Sequence, residues 1–197
     1  RMIALRKDLS LAERLKMCQD ALAAAKRDEE RRAVLSAVAD IPTPEALKMA
    51  EGCLAKDAPK DEAAIALNRI ARAVSGTDAE AARGAIARAA AASDNAEVQK
   101  QAKEAVAFLE RNQGFITTWL ASGPYQGGKT SIVHDPERPD AREVKWKLIT
   151  ATGAQPGFVD LNKELGAPGN CAGYLKCQVF SPKEQPAVLE CGSDDGI

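Results

Sequence analysis

Apolar positions recur at helical spacing through the first 112 residues and at strand spacing after them. Ser10 stands three residues before Glu13, a capping pair, and Leu11, Leu15, Met17, Cys18 and Leu22 follow. Asp28 opens a second segment through Val34, Leu35 and Val38, stopped by Pro42. Thr43 followed by Pro44 reads as an N-cap with proline at the first helical position, continued by Leu47, Met49 and Leu54. Pro59 sits near the start of a fourth segment that carries Ile65, Leu67, Ile70 and Val74 and stops at Gly76. Thr77 with Glu80 opens a fifth, and Asp94 with Glu97 a sixth that carries Val98, Ala102, Ala105, Val106 and Leu109. Short loops between six such helices predict antiparallel neighbours. The starts at Ser10, Thr43 and Thr77 lie 33 and 34 residues apart, a helix-pair period in the range of α-solenoids. The tetratricopeptide pattern of Trp, Gly and Tyr is absent, and the segment looks more like a short run of HEAT-like repeats.

From residue 113 the spacing shortens. Phe115–Leu120, Val144–Ile149 and Gly157–Leu161 read as strands, and Cys171–Phe180 is the clearest. In that run Cys171, Gly173, Leu175, Cys177 and Val179 share the expected core face, opposite Ala172, Tyr174, Lys176, Gln178 and Phe180. Pro182 marks a turn, and Ala187–Cys191 reads as a fifth strand. Strand after strand without an intervening helix predicts an antiparallel sandwich.

Composition divides at the same place. Residues 1–112 hold 31 alanines, 3 glycines, 3 prolines and one aromatic, Phe108, whereas residues 113–197 hold 11 glycines, 7 prolines and seven aromatics. The expected fold class is therefore α+β multidomain: a helical segment over 1–112, then a β-sandwich segment over 113–197. With 27 basic against 28 acidic residues, the charge argues against a dedicated nucleic-acid or anionic-membrane binder. No apolar run is long enough for a membrane span. Arg1 at the start and Gly192–Ile197 at the end make the chain read as a fragment cut at both ends.

Candidate chemistry is sparse. Gly123–Thr130 matches the phosphate-binding pattern G-x-x-x-x-G-K-[ST], with Lys129 and Thr130 in the nucleotide- and Mg²⁺-facing places. Pro136 and Pro139 interrupt the helix that such a loop needs, and Ser131-Ile132-Val133 favours extended backbone. A glycine-rich strand connection is the plainer expectation, with nucleotide binding as the alternative. Cysteines 18, 53, 171, 177 and 191 show no C-x-x-C spacing, so no zinc or haem site is expected and buried free thiols are the default. Cys191 would neighbour Cys177 if their strands pair. His134 has no second histidine to share a metal; it reads as a surface loop residue with Asp135 as the nearby base. Trp119 and Trp146 could stack on sugars, but each stands in an apolar run that suits a core.

Trp119-Leu120-Ala121-Ser122-Gly123-Pro124-Tyr125 resembles the W-L-x-x-G-P-[FY] opening of a galactose-binding-like domain found in large bacterial proteins. Pro139–Trp146, Gly157–Leu161, Asn170–Leu175, Ser181-Pro182-Lys183 and Gly192–Gly196 resemble further stretches of the same domain, in the same order. The resemblance implies a jelly-roll module, preceded by helical repeats, that accompanies a 3-keto-disaccharide hydrolase or family-16-like glycoside hydrolase domain. In that family the turn at Asp194-Asp195-Gly196 leads into more strands; a jelly roll needs about eight. The expectation is a non-catalytic accessory fragment of an exported protein, binding carbohydrate or positioning a domain, with the helices contacting other domains of the same protein. No catalytic residue, metal or cofactor is expected. Asp194 and Asp195 are the candidate ligand-binding residues, since paired carboxylates suit Ca²⁺ or sugar hydroxyls and an Asp-Gly turn is the simpler reading. A protein-interaction helical scaffold is the competing class.

Overall fold

The computed structural model describes residues 9–54, 59–127, 131–141, 143–151, 155–166, 169–179, 181 and 183–192. Among the described residues six helices come first: α1 (Leu11–Ala24), α2 (Asp28–Val38), α3 (Pro44–Leu54), α4 (Lys60–Val74), α5 (Ala79–Ala92) and α6 (Ala96–Arg111). An antiparallel sheet follows, so the chain is α+β.

Caps start the helices where side chains can take up orphan N–H groups. Ser10 Oγ accepts from the Glu13 N–H at 3.2 Å while the Glu13 carboxylate accepts from Ser10 N at 2.8 Å. Thr43 Oγ1 accepts from Ala46 N at 3.1 Å. Two starts shift by one residue from the sequence reading. Asp78, not Thr77, caps α5, accepting from Ala81 N at 3.0 Å, because Thr77 Oγ1 donates to the Val74 carbonyl at 2.9 Å and closes α4 instead. Asn95, not Asp94, caps α6, accepting from Glu97 N at 2.9 Å.

The helical core centres on α4, which packs against α2, α3, α5 and α6. Its buried Ala63, Ala64, Ala66 and Ala71 let neighbouring helices approach closely, and Leu67, Ile70 and Val74 fill the remaining space. Each of these larger side chains contributes about 1.5–3 kcal/mol through burial. Phe108, on α6, is buried with the Arg72 guanidinium 4.3 Å from its ring centroid.

Gly76 ties the helices to the sheet. The sequence suggested a helix-stopping glycine, yet its backbone is not left-handed. Its role is close approach: an added Cβ would stand 2.5 Å from Thr117 N and 2.8 Å from Phe115 O. Thr117 is fully buried there, and Thr118 Oγ1 donates to the Ala73 carbonyl of α4 at 2.5 Å. A second tie joins Gly157 N to Asn112 Oδ1 at 3.1 Å.

The sheet has the order β2-β1-β3, with β1 (Thr118–Gln126) central, β2 (Lys147–Thr150) and β3 (Cys171–Lys176). β1 begins three residues later than expected and runs on through Gly123-Pro124-Tyr125, because Phe115–Thr117 lies against the end of α4. Gly157–Leu161 is not a strand. Asp160 Oδ1 accepts from Lys163 N at 3.0 Å, and Gly166 at φ 62° closes a short helix α7 (Leu161–Leu165). Ala187–Cys191 forms no strand either, and Val188 and Leu189 are 87% and 68% exposed.

One sheet face is partly covered by α7, whose Leu165 reaches Gly173 and whose Glu164 pairs with Lys147 at 3.0 Å. Ala121 and Ile149 are buried on that side. The expected core face of β3 is only half realised: Leu175 is 38% and Val179 60% exposed, because α7 is too short to cover them. Phe180 and Pro182 lie outside the described residues. No helix among the described residues is long and apolar enough to cross a membrane.

Candidate functional site

The other sheet face carries Thr118, Leu120 and Ser122 of β1, opposite Thr150, Leu148 and Tyr174 of the flanking strands. Alternation alone would send Tyr125 to the α7 side. A bulge prevents this. Ser122 pairs with Tyr174 but Tyr125 pairs with Ala172, so β1 spends three residues where β3 spends two. The extra residue reverses the parity and brings Tyr125 onto the Ser122–Tyr174 face. Pro124 has no N–H for the ladder and is accommodated in this central strand because it sits in the bulge.

The result is a compact polar–aromatic cluster. Ser122 Oγ and Tyr125 Oη lie 2.7 Å apart, with Ser122 buried. The His134 ring stacks on Tyr125, centroids 5.2 Å apart and planes inclined by 30°. Tyr174 meets both rings edge-on, at 5.6 Å from Tyr125 and 6.1 Å from His134. His134 Nε2 stands 3.4 Å from the Gly127 carbonyl. The 3₁₀ turn Asp135–Glu137 swings Glu137 back, where its carboxylate accepts from the Tyr174 hydroxyl. Burial and this acceptor push the Tyr174 phenol up to about 12. The same bond holds the Glu137 carboxyl below its ordinary value. The three rings are half-buried and Glu137 is exposed, so the cluster opens to solvent.

Several sequence expectations resolve here. His134 is part of an aromatic cluster rather than a solitary loop residue. Its carboxylate neighbour is Glu137, while Asp135 pairs with Arg138 at 3.7 Å. Trp119 is half-buried and donates to the Ile116 carbonyl at 3.2 Å, whereas Trp146 has Lys176 Nζ 5.9 Å from its ring centroid. The phosphate-loop match loses its geometry: Gly123–Gln126 belong to β1, and residues 131–141 hold a 3₁₀ turn rather than a helix. Gly128, Lys129 and Thr130 lie outside the described residues, as do Asp194 and Asp195. Cys18 and Cys53 are buried as expected, but Cys171 and Cys177 are half-buried and Cys191 is exposed. Among the described residues no three His, Cys, Asp or Glu side chains converge as metal ligands. The pairing of Tyr125 with Tyr174 was not foreseen; the one trace in the sequence is Tyr174 on the polar face of its strand.

A second feature lies on the helices. A groove of about 400 Å³ runs between α5 and α6, walled by Ile86, Ala87, Ala90, Ala102, Val106 and Leu109 and rimmed by Arg83, Lys103 and Glu110. Its walls are mainly apolar, and Val106 is 43% exposed.

No family model, no curated protein and no solved structure was found to match this chain.

Proposed function

We propose that this chain is a non-catalytic accessory segment of a larger, exported, glycoside-hydrolase-type protein, and that it binds carbohydrate on the Tyr125–Tyr174 face of its sheet. The observation that carries this reading is the convergence of Ser122, Tyr125, His134, Glu137 and Tyr174 on one solvent-open face. Aromatic rings offer apolar area to the C–H faces of a sugar. Hydroxyl, imidazole and carboxylate groups offer donors and acceptors to its hydroxyls.

In this reading the helices form a HEAT-like α-solenoid. The first helices of successive pairs start at Leu11, Pro44 and Ala79, 33 and 35 residues apart. The second helices, α2, α4 and α6, pack side by side, which supports a repeating layer. The sheet is the beginning of a galactose-binding-like jelly roll, with Asp194 and Asp195 as further ligand groups.

The test is a titration of the whole chain with galactose and a panel of disaccharides, followed by tryptophan fluorescence and NMR shifts. Saturable binding is expected. Tyr125→Ala should weaken it by about tenfold, the equivalent of roughly 1.4 kcal/mol. Val106→Glu, in the helical groove, should leave it unchanged. Absence of binding across the panel removes the reading.

The α5–α6 groove favours a second reading, a helical scaffold that holds an apolar segment of a protein partner. That reading predicts the reverse pattern: partner capture lost with Val106→Glu and retained with Tyr125→Ala.

A further inference from the structure

The helical array ends on an open face. Neighbours enclose α4, whereas α5 and α6 pack chiefly on α3, α4 and each other. α6 turns Val98, Ala102, Ala105, Phe108 and Leu109 into that core. Lys103, Val106, Ala107 and Glu110 stand exposed along the groove between α5 and α6. Ala87, Ala90 and Ala107 carry no more than a methyl group, so a further helix can approach this apolar strip closely.

Charge decides what fits there. Lys100 pairs with Glu104 at 4.0 Å along α6, and Arg88 Nε of α5 donates to Glu51 at 3.1 Å. Lys103 and Glu110 enter no ion pair among the described residues. They stand seven residues apart, so they share one face of α6, about 10.5 Å apart along its axis. Val106 and Ala107 lie midway between them.

The strip is therefore its own complement. A second α6 laid antiparallel across it, on a twofold axis between Val106 and Ala107, brings Lys103 level with Glu110 of the second copy. The same axis brings Glu110 level with Lys103 of the second copy. Both ion pairs form together, and the two Val106 side chains leave water at the centre. A parallel arrangement would set lysine on lysine and glutamate on glutamate, which disfavours it. Arg83 stands on the opposite lip, exposed, where salt screens it.

We infer that the outer face of α5 and α6 is a self-complementary dimer interface, in which two α6 helices pair antiparallel about Val106 and each copy covers the other's groove. The inference rests on the groove being a protein-binding surface, and it is independent of carbohydrate binding on the sheet.

The experiment measures the mass of the full chain by sedimentation equilibrium, from low-micromolar to sub-millimolar concentration. Reducing buffer keeps the exposed Cys191 from linking copies. The expected result is a reversible rise from 20.9 kDa to twice that mass. Val106→Glu should weaken the dimer about tenfold or more, because two carboxylates would meet at the axis. Lys103→Glu and Glu110→Lys should each weaken it about tenfold, since each turns both ion pairs into like-charge contacts. Lys103→Glu combined with Glu110→Lys exchanges the signs, and should return the dimer to within about threefold of the parent. Circular dichroism checks that every variant keeps the parent's helix content, and rescue by the combined variant separates lost pairing from lost folding. The inference is overturned if the chain stays monomeric throughout, if a dimer forms that Val106→Glu does not weaken, or if the combined variant dimerises no better than the single ones. A monomeric chain would leave the groove open to a different protein and the sugar titration unaffected, so this failure is distinct from failure of either functional reading.

Discussion

Replacing Gly76 with alanine tests whether the sheet is fastened to the helices by backbone contact. The new methyl would stand 2.5 Å from Thr117 N, 2.8 Å from Phe115 O and 3.0 Å from Ile116 Cα. All three are backbone atoms, so no side-chain rotation relieves the clash, and the segment 115–117 has to move away from α4. Overpacking of this kind costs about 1–3 kcal/mol. Displacing the segment also threatens the Thr118–Ala73 hydrogen bond, worth about 0.5–1.5 kcal/mol. Against this, alanine restricts the unfolded chain and returns about 0.4–1 kcal/mol. The net expectation is a loss of about 1–3 kcal/mol. For a chain of this size that is a fall in melting temperature of roughly 3–10 °C. Thermal unfolding by circular dichroism measures it. Tryptophan fluorescence should change in the native baseline, since Trp119 donates to the displaced Ile116 carbonyl. Gly52→Ala is the opposing control. It lies within α3 with no atom within 4 Å of an added Cβ, and should gain about 0.5–1 kcal/mol from helix propensity. Equal or higher melting for Gly76→Ala, with an unchanged native fluorescence baseline, would refute the argument that this glycine serves close approach.

Two further outcomes follow from the caps and the aromatic cluster. Asp78→Ala should destabilise by about 1 kcal/mol, read as a lower urea midpoint, and Asp78→Asn should recover most of it; a Thr77→Ala loss with no Asp78→Ala loss would restore Thr77 as the cap. Tyr174 favours its neutral form in the folded chain, so its contribution is fully present below the ordinary phenol value near 10 and fades as pH rises towards about 12. In an ultraviolet titration one of the two tyrosines should therefore ionise late, and Tyr174→Phe should remove the late step; a single transition near pH 10 in the parent chain would contradict the Tyr174–Glu137 bond.

Much of the helical half was readable from the sequence alone. Ser10 with Glu13, and Thr43 with Pro44, locate helix starts because a cap acts over three residues, within one stretch of chain. The apolar spacing through Leu67, Ile70 and Val74 likewise marks the buried stripe of α4 without reference to its neighbours. Even there, the choice between Thr77 and Asp78 depended on which orphan group, at the end of α4 or the start of α5, each side chain reached.

The sheet half was less readable because its interactions are not local. A run such as Gly157–Leu161 fits a strand on composition, but a strand needs a partner, and the Asp160 cap with Gly166 closes a helical turn instead. Val188 and Leu189 suit a strand equally well and are left in solvent. The candidate site depended most on tertiary structure. Tyr125 and Tyr174 are far apart in sequence, and only the bulge after Ser122 puts them on one face. The sequence by itself determined the helix starts, the apolar stripes and the break in composition, since these follow from hydrogen bonds and spacing within a few residues. Register, face and the company each aromatic keeps were decided by the tertiary structure, because a one-residue shift in strand pairing reverses every side chain beyond it.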